Sequence, residues 1–282
     1  MCIRIIAIIP IILLVLLSPL LIADYDPTDR YRPLRGGILV ETGYWEYYCE
    51  PMIGCWWEIN GLSDSTLGYT AYKNIGGEDI YGFVIAGHAV DYESGWYIYQ
   101  PNYDGPTVNY VPVTGENYIG GIDYDISQEA DAVFEDTSSE NVTPYILRPV
   151  GFAPVNDYME YSEVIPGVTY VYKMGVATSE TCGIVTRKEL WYNVSGHTYE
   201  YVIFANYTGY FGDSGGPVYI IVGSGVTLVG HVLGGYTVYG EAYFISVTSD
   251  ESHLGIYPYC SSSIPSPPEG PTPEDNSKYF GR

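Results

Sequence analysis

Hydrophobic and polar positions alternate in short runs along most of the chain, and Gly, Asn, Asp or Pro separates the runs at short intervals. The runs are rich in Val, Ile, Tyr and Thr, which favour extended backbone, and no window carries a long helical period. Examples are "IYGFVIAG" at 80–87, "TYEYVIFA" at 198–205 and "PVYIIV" at 217–222. The pattern predicts an all-β sandwich or barrel, with one short helical turn in "SDESHLG" at 249–255.

The two ends of the chain differ from this pattern. An apolar run from Ile5 to Ala23 follows Arg4, so residues 1–23 are interpreted as a secretory signal peptide or, given the length of the run, an uncleaved signal anchor. Residues 24–36 are rich in Pro and Arg and are interpreted as a linker or short pro-segment. Residues 258–282 are Pro/Ser-rich and acidic, which is typical of a disordered tail. The domain between them is expected to be extracellular, either secreted or anchored at the cell surface.

Charge narrows the range of partners. The 282 residues carry 11 Lys and Arg against 34 Asp and Glu, a formal charge of −23. Such a chain repels the phosphates of nucleic acids and of anionic membranes, so neither is expected as a partner. Contact with a membrane is expected only through the N-terminal apolar segment. No Cys and His spacing resembles a zinc site, so no metal or cofactor is expected. The chain is expected to be a monomer.

Four cysteines follow the signal segment, an even number that suits disulfides in an oxidising compartment. They are Cys49, Cys55, Cys182 and Cys260, and they allow three different pairings. The choice with the shortest loops joins Cys49 to Cys55 and Cys182 to Cys260.

The stretch "GDSGGP" at 212–217 concentrates three glycines around one Asp-Ser pair. Glycine is used where backbone must take a positive φ or approach another group closely. The stretch therefore predicts a sharp turn that presents the Ser214 hydroxyl together with backbone N–H groups. Such a turn suits a nucleophile beside an oxyanion-binding nest.

A serine nucleophile needs a base, and a neutral imidazole is the natural base near pH 7. Of the four histidines, His88 is the strongest candidate because a buried apolar strand, "GFVIAGHAV", leads directly to it. His197 and His253 lie in polar segments typical of the surface, and His231 either faces a pocket or packs in the core.

The base in turn needs a buried carboxylate that orients the ring. Asp131 lies in "EADAVFED", between apolar neighbours. A carboxylate in such surroundings is costly unless it is paired, so this position indicates a partner.

Together these segments resemble the chymotrypsin-like serine proteases, nearest the bacterial streptogrisin and alpha-lytic-like branch. The resemblance rests on "AGHA" at His88, "DAVF" at Asp131 and "GDSGGP" at Ser214, in the order His, Asp, Ser, and it extends over residues 37–257. It implies two six-stranded antiparallel β-barrels with the active site in the cleft between them. It also implies a serine endopeptidase that cleaves protein or peptide substrates through an acyl-enzyme.

The resemblance assigns a role to each matching position. It implies that Ser214 is the nucleophile, His88 the general base and acid, and Asp131 the orienting carboxylate. The N–H groups of Gly212 and Ser214 would form the oxyanion hole. Lys173, in "YKMG", would pair with the second acidic residue of the site, Asp213, so that no new amino terminus is required.

Specificity is expected to depend on the residue six positions before the nucleophile, Thr208, together with a cleft strand containing Leu233, Gly234 and Gly235. Thr208 is small and uncharged, which favours medium apolar or aromatic side chains at the residue before the cleaved bond, P1. His231 near the cleft strand leaves recognition of an acidic P1 residue as the alternative.

Some positions depart from the family pattern. Ala89 and Tyr172 stand where relatives carry cysteines, and Leu233 replaces a serine whose hydroxyl supports the orienting aspartate in relatives. Asp131 is therefore expected to be held more loosely or by another donor. The aromatic-rich "EYYCEPMIGCWWE" at 46–58 has no counterpart in the comparison. The alternative function is a catalytically weak or inactive module of the same fold that acts in extracellular binding.

Overall fold

The computed structural model describes residues 25–261, except 110–111, 113–114, 123–124 and 236–239. Short 3₁₀ turns cover Gly87–Val90, Ser139–Asn141 and Tyr161–Glu163, and one α-helix, α1, covers Val247–Leu254. The rest is mainly β-structure, as the sequence pattern predicts. The strands are β1 Leu34–Gly36, β2 Leu39–Glu50, β3 Gly54–Thr66, β4 Tyr69–Ile75, β5 Glu78–Ala86, β6 Trp96–Tyr99, β7 Val108–Asn109, β8 Tyr118–Gly121, β9 Ile126–Ser127, β10 Ala132–Asp136, β11 Val142–Arg148, β12 Gly151–Tyr158, β13 Tyr170–Gly175, β14 Ser179–Val194, β15 His197–Ala205, β16 Pro217–Val222, β17 Gly225–Gly234, β18 Ala242–Ser246 and β19 Ile256–Pro258.

Six strands of the second half form a closed antiparallel ring. The order is β13, β14, β15, β18, β17 and β16, and β16 pairs back onto β13. Alternating inward positions such as Val171, Ile203, Val218 and Phe244 are fully buried inside the ring. This ring matches one of the two predicted six-stranded barrels.

Among the described strands, two five-stranded sheets lie outside the ring, and the second predicted barrel is not confirmed as one closed ring of six. Their strand orders are β19-β4-β5-β10-β9 and β7-β3-β2-β6-β8, while β1, β11 and β12 continue the sheet of the ring from β17. Both five-stranded sheets contribute to one core, which includes Val40, Phe83, Val84, Ile85 and Ile98. Segments as short as β7, β9 and β19 carry too little pattern to be predicted from the sequence.

The described part of the segment interpreted as a linker or short pro-segment, residues 25–36, packs against the rest of the fold. β1 pairs in parallel with β11, and Leu34 is buried. The Tyr25 ring packs 4.7 Å from the Phe152 ring, and the Arg35 guanidinium lies 4.2 Å from the same ring. The Pro and Arg residues around these few apolar side chains leave no strand pattern in the sequence of this segment.

The fold also extends beyond residue 257. β19 pairs with β4, and the N–H of Tyr259 donates to the carbonyl of Thr70 at 2.9 Å. The predicted signal segment, 1–23, and the tail beyond residue 261 lie outside the described residues. Within the described part of the chain, no helix has both the length and the apolar character needed to cross a membrane.

One of the two expected disulfides is present. Cys49 and Cys55 are bonded across β2 and β3. Cys182 and Cys260 are both free, so the second predicted bridge is wrong. Cys182 is exposed on β14 of the closed ring, whereas Cys260 packs against the core of the first half.

The aromatic-rich segment 46–58 is the outer part of the β2–β3 hairpin, with the Cys49–Cys55 bond close to its tip. Its outermost apolar side chains, Met52 and Ile53, are exposed. The insertion noticed in the sequence is therefore a projecting, disulfide-closed hairpin.

Candidate active site

Strand pairing brings His88 and Asp131 together although 43 positions separate them in the sequence. His88 lies in the 3₁₀ turn that follows β5, and Asp131 lies immediately before β10. β5 and β10 are antiparallel neighbours in which Ala86 faces Ala132. Asp131 has a φ of 48°, an uncommon value for a residue other than glycine. The pairing therefore fixes both side chains at the same end of the two strands.

The His88 ring and the Asp131 carboxylate form a close hydrogen-bonded pair. Nδ1 of His88 lies 2.8 Å from Oδ2 and 3.0 Å from Oδ1 of Asp131, and the backbone N–H of His88 donates to Oδ1 at 2.9 Å. The carboxylate only accepts, so Nδ1 carries the proton and Nε2 of the neutral ring is left as the acceptor. Burial by itself lowers the pKa of His88, but the negative charge and hydrogen bond of Asp131 outweigh it and raise that pKa.

The Ser214 turn is held by close backbone approaches that need glycine. Gly212 and Gly215 have φ values of 96° and 81°, and a Cβ on Gly215 would lie 2.5 Å from the carbonyl oxygen of Thr66. The Thr66 hydroxyl donates to the carbonyl of Gly212 at 2.7 Å, and the Thr66 N–H donates to the carbonyl of Ser214 at 2.9 Å. The end of β3 therefore clamps the turn on both sides of the Asp213-Ser214 pair.

Ser214 and His88 line one cavity of about 530 Å³, which brings the predicted base and nucleophile to the same space. Their side chains make no hydrogen bond to each other in this structure. Such bonds are often long in enzymes without substrate and tighten only in the complex. Among the described residues, nothing accepts a hydrogen bond from the N–H of Gly212 or of Ser214, so both donors are free for a ligand.

Lys173 and Asp213 form a fully buried ion pair beneath the turn. Nζ of Lys173 lies 2.7 Å from Oδ2 of Asp213, and neither side chain is exposed to solvent. The carboxylate also accepts the N–H groups of Ala177, Thr178 and Tyr210, each at 3.0 Å. Burial lowers the pKa of Lys173, and Asp213 counteracts part of that change. This is the pair that the sequence analysis expects.

Comparison with solved structures identifies the fold that carries this arrangement. No protein-family model matches the chain, and no curated protein sequence does. A glutamic acid-specific serine protease described as using a histidine triad in substrate binding matches with a TM-score of 0.54 and 19% identity over 80% of this chain and 100% of its own. Cellulomonas bogoriensis chymotrypsin matches with a TM-score of 0.51 and 17% identity, and Thermobifida fusca protease A with 0.50 and 19%, each over 80% of this chain and 98% of its own. The chain has the chymotrypsin-like serine protease fold.

Within this chymotrypsin-like fold, the cleft strand lies where the sequence analysis expects it, but Thr208 does not. Leu233, Gly234 and Gly235 line the cavity. Thr208 is exposed, is not among the described residues that line the cavity, and uses its carbonyl to accept the Thr181 hydroxyl at 2.5 Å. The prediction that it floors the P1 pocket is not supported, and the three residues that follow it, Gly209, Tyr210 and Phe211, line the cavity instead. The full described lining is His88, Val194, Ser195, Tyr199, Gly209, Tyr210, Phe211, Ser214, Val232, Leu233, Gly234, Gly235 and Tyr243.

His231 is also placed differently from the alternative considered above. It is fully buried, does not line the cavity, and has Nδ1 3.3 Å from Oδ2 of Asp250 on α1. The same carboxylate accepts the Tyr69 hydroxyl at 2.5 Å. Burial by itself lowers the pKa of His231, but Asp250 more than offsets this and raises it. Recognition of an acidic P1 residue by His231 is therefore wrong for this structure.

One hydroxyl that the sequence analysis missed contacts the Asp131 carboxylate. Tyr92 donates its hydroxyl to Oδ1 of Asp131 at 2.8 Å. The Tyr92 hydroxyl is a hydrogen-bond donor to Asp131, which Leu233, standing in place of the relatives' serine, cannot be. The one sequence feature that could have indicated Tyr92 is its position four residues after His88, just after the 3₁₀ turn.

Proposed function

We propose that this protein is a secreted or surface-tethered serine endopeptidase. The observation that carries the proposal is one cavity lined by Ser214 and by His88, whose ring is paired with Asp131, beside a turn in which the N–H groups of Gly212 and Ser214 have no acceptor among the described residues. Ser214 is the nucleophile, His88 the general base and acid, and Asp131 the orienting carboxylate. The Cys49–Cys55 disulfide and the apolar segment 1–23 favour a location outside the cytoplasm.

The proposed reaction uses these groups in two steps. Nε2 of His88 takes the proton of Ser214 Oγ while Oγ attacks the carbonyl carbon of the substrate peptide bond. The N–H groups of Gly212 and Ser214 stabilise the oxyanion, and His88 then gives its proton to the departing amine. In the second step Nε2 of His88 takes a proton from a water, which attacks the Ser214 ester, and His88 gives that proton back to Ser214 Oγ as the ester bond breaks and the acid is released. The raised pKa of His88 keeps the ring protonated to a higher pH than an ordinary imidazole, so the rate should fall on the acid side of neutrality.

Labelling with a fluorophosphonate tests this function directly. We expect the purified protein to gain the mass of one phosphonyl group, because such reagents trap a serine that a neighbouring base activates. Ser214→Ala should gain none, whereas Ser195→Ala, which removes the other serine hydroxyl of the cavity, should still be labelled. Intact mass measures all three. A folded wild-type protein that remains unlabelled would favour the alternative, a catalytically inactive module for extracellular binding.

The cavity also predicts what the substrate carries at P1. Tyr199, Phe211, Val232 and Tyr243 line it, and its described lining includes no Asp, Glu, Lys or Arg. A peptide with Phe at P1 should be cleaved roughly 10- to 100-fold faster, in kcat/KM, than one with Ala, because burial of an aromatic ring is favourable by about 1.5–3 kcal/mol. Lys or Glu at P1 should be poorer than Ala, since either would be buried without a partner.

Gly235→Val is the matched variant for this prediction. Gly235 is exposed and lines the cavity, and a Cβ placed on it meets no described atom within 4 Å, so a valine can be placed at the cavity wall without displacing a described neighbour. The ratio of kcat/KM for Phe to that for Ala should therefore fall in this variant. A wild-type preference for Lys or Glu in chromogenic peptides would contradict the assignment of the cavity.

A further inference from the structure

We propose that Tyr92 and Tyr199 are positioning residues that connect the β14–β15 hairpin to the Asp131 carboxylate. The inference rests on the proposed function and goes beyond it, since neither residue belongs to the His88, Asp131 and Ser214 set. The two hydroxyls form a chain from the substrate cavity to the orienting carboxylate.

The direction of each hydrogen bond in this chain follows from its chemistry. The hydroxyl oxygen of Tyr92 lies 2.8 Å from Oδ1 of Asp131 and 2.9 Å from the hydroxyl of Tyr199. The carboxylate can only accept, so the single Tyr92 proton goes to Asp131. Tyr199 must therefore donate its own proton to Tyr92. Burial, and secondarily the Asp131 charge, raises the pKa of Tyr92 far above its ordinary value, so this donor keeps its proton throughout any assay.

The hairpin that supplies Tyr199 also forms a wall of the cavity. Val194, Ser195 and Tyr199 line the cavity. The next residue, Glu200, donates its N–H to the carbonyl of Glu129 at 2.8 Å, which fixes the hairpin to the loop just before Asp131. The same hairpin thus lines the cavity on one side and contacts the loop before Asp131 on the other.

Apolar packing around the two hydroxyls restricts their geometry. Leu233, Val202 and Phe204 form a buried cluster with Tyr199, and the Tyr92 ring packs against it. Since Leu233 offers no donor, Tyr92 is the one side-chain hydroxyl bonded to Asp131 among the described residues. Without that bond, Oδ1 of the fully buried Asp131 carboxylate would have hydrogen-bond donors from His88 alone among the described residues.

Several other ionisable groups face the pair and must be considered in any pH profile. Asp91 follows His88 on the same turn, and Tyr243 on β18 lies near Asp131. His231 on β17 is paired with Asp250 on α1, and its charge interacts with the charges of both His88 and Asp131. None of them changes in the variants below, so a displaced acid limb reports on the tyrosine chain.

The test compares Tyr92→Phe, Tyr199→Phe and the double variant, with kcat counted per fluorophosphonate-reactive site. Tyr92→Phe should lower kcat roughly 10- to 100-fold with little change in KM, the range expected for one hydrogen bond to a charged group. It should also move the acid limb of kcat/KM to higher pH. The carboxylate that has lost a donor holds the His88 proton more strongly, so more enzyme is in the protonated, inactive form at a given acid pH.

The Tyr199→Phe variant is the second, independent part of the test. Tyr199→Phe should change kcat and the acid limb in the same direction but less, and it should add nothing to kcat in the Tyr92→Phe background, because it acts only through Tyr92. Tyr103→Phe is the control, since its hydroxyl donates to the carbonyl of Pro106 at 2.6 Å and lies in a separate cluster. This variant should match the wild type in both readouts.

Two outcomes would overturn the inference. One is a Tyr92→Phe enzyme with wild-type kcat and acid limb, and the other is a kcat loss from Tyr199→Phe that is just as large with Tyr92 already replaced. If Tyr92→Phe does not fold, an unshifted acid limb in Tyr199→Phe overturns it equally. A wild-type protein that neither reacts with the reagent nor cleaves peptides would refute the proposed function instead, so the two failures are distinguishable.

Discussion

Ser214→Ala, His88→Ala and the double variant should all lose about the same amount of kcat, roughly 10⁶-fold, because the hydroxyl and the imidazole act as one unit. Removing either leaves no activated nucleophile, and removing the second then costs nothing more. The residual rate above that of the uncatalysed reaction, about 10³- to 10⁴-fold, would come from binding and from the Gly212 and Ser214 N–H groups. Hydrolysis of a chromogenic peptide under single-turnover conditions measures each variant.

Asp131→Asn provides the graded comparison in this series. It keeps the shape of the buried side chain but lets His88 adopt the wrong tautomer, so a loss of about 10⁴-fold in kcat is expected. Thermal unfolding of each protein establishes that the fold is retained. Losses that multiply between Ser214→Ala and His88→Ala would mean that the two residues act separately, contrary to the proposed mechanism.

Lys173→Met should be the most destabilising single change at the site. It leaves the Asp213 carboxylate fully buried without its cation, and breaking a buried pair in this way costs about 3–5 kcal/mol of unfolding free energy. Activity should fall as well, because Asp213 anchors the turn that orients the oxyanion donors. Loss of one such donor costs about 10²- to 10³-fold in kcat. Denaturant unfolding and peptide hydrolysis report the two effects separately.

Two matched variants show whether the missing charge is responsible. Asp213→Asn added to Lys173→Met removes the unpaired charge and should recover part of the lost unfolding free energy. Lys73→Met breaks a partly exposed pair with Asp125, which should cost at most about 1 kcal/mol. A Lys173→Met protein with full activity and unchanged stability would show that the buried pair has no supporting role.

The sequence predicts best what local spacing determines. The "GDSGGP" turn is specified within six residues, and an apolar strand ending at His88 indicates its place at a strand end. Lys173 and Asp213 were paired from the resemblance, and the structure has their charged atoms 2.7 Å apart. One short segment carries the information for the turn and for His88, whereas the ion pair depended on the resemblance.

Features that depend on two distant segments were not predictable in this way. The Tyr92 hydroxyl reaches Asp131 across 39 positions, and its place four residues after His88 does not by itself indicate that contact. The exposed position of Thr208 depends on the path of its loop, which the count of residues before Ser214 does not describe. Likewise, Cys182 is exposed on β14 whereas Cys260 packs against a core, a separation that cysteine counting cannot reveal.

The pairing of β19 with β4 has a consequence for how the molecule folds. β4 is completed by residue 75, but its edge partner is made only when the ribosome reaches residues 256–258. The sheet that contains β4 is complete only once those residues have been made, and contacts between such distant segments form slowly because a long loop has to close first. Folding of this sheet is therefore expected to finish only after residue 258 has been synthesised, and until then the unpaired edge of β4 is open to chaperones or to aggregation.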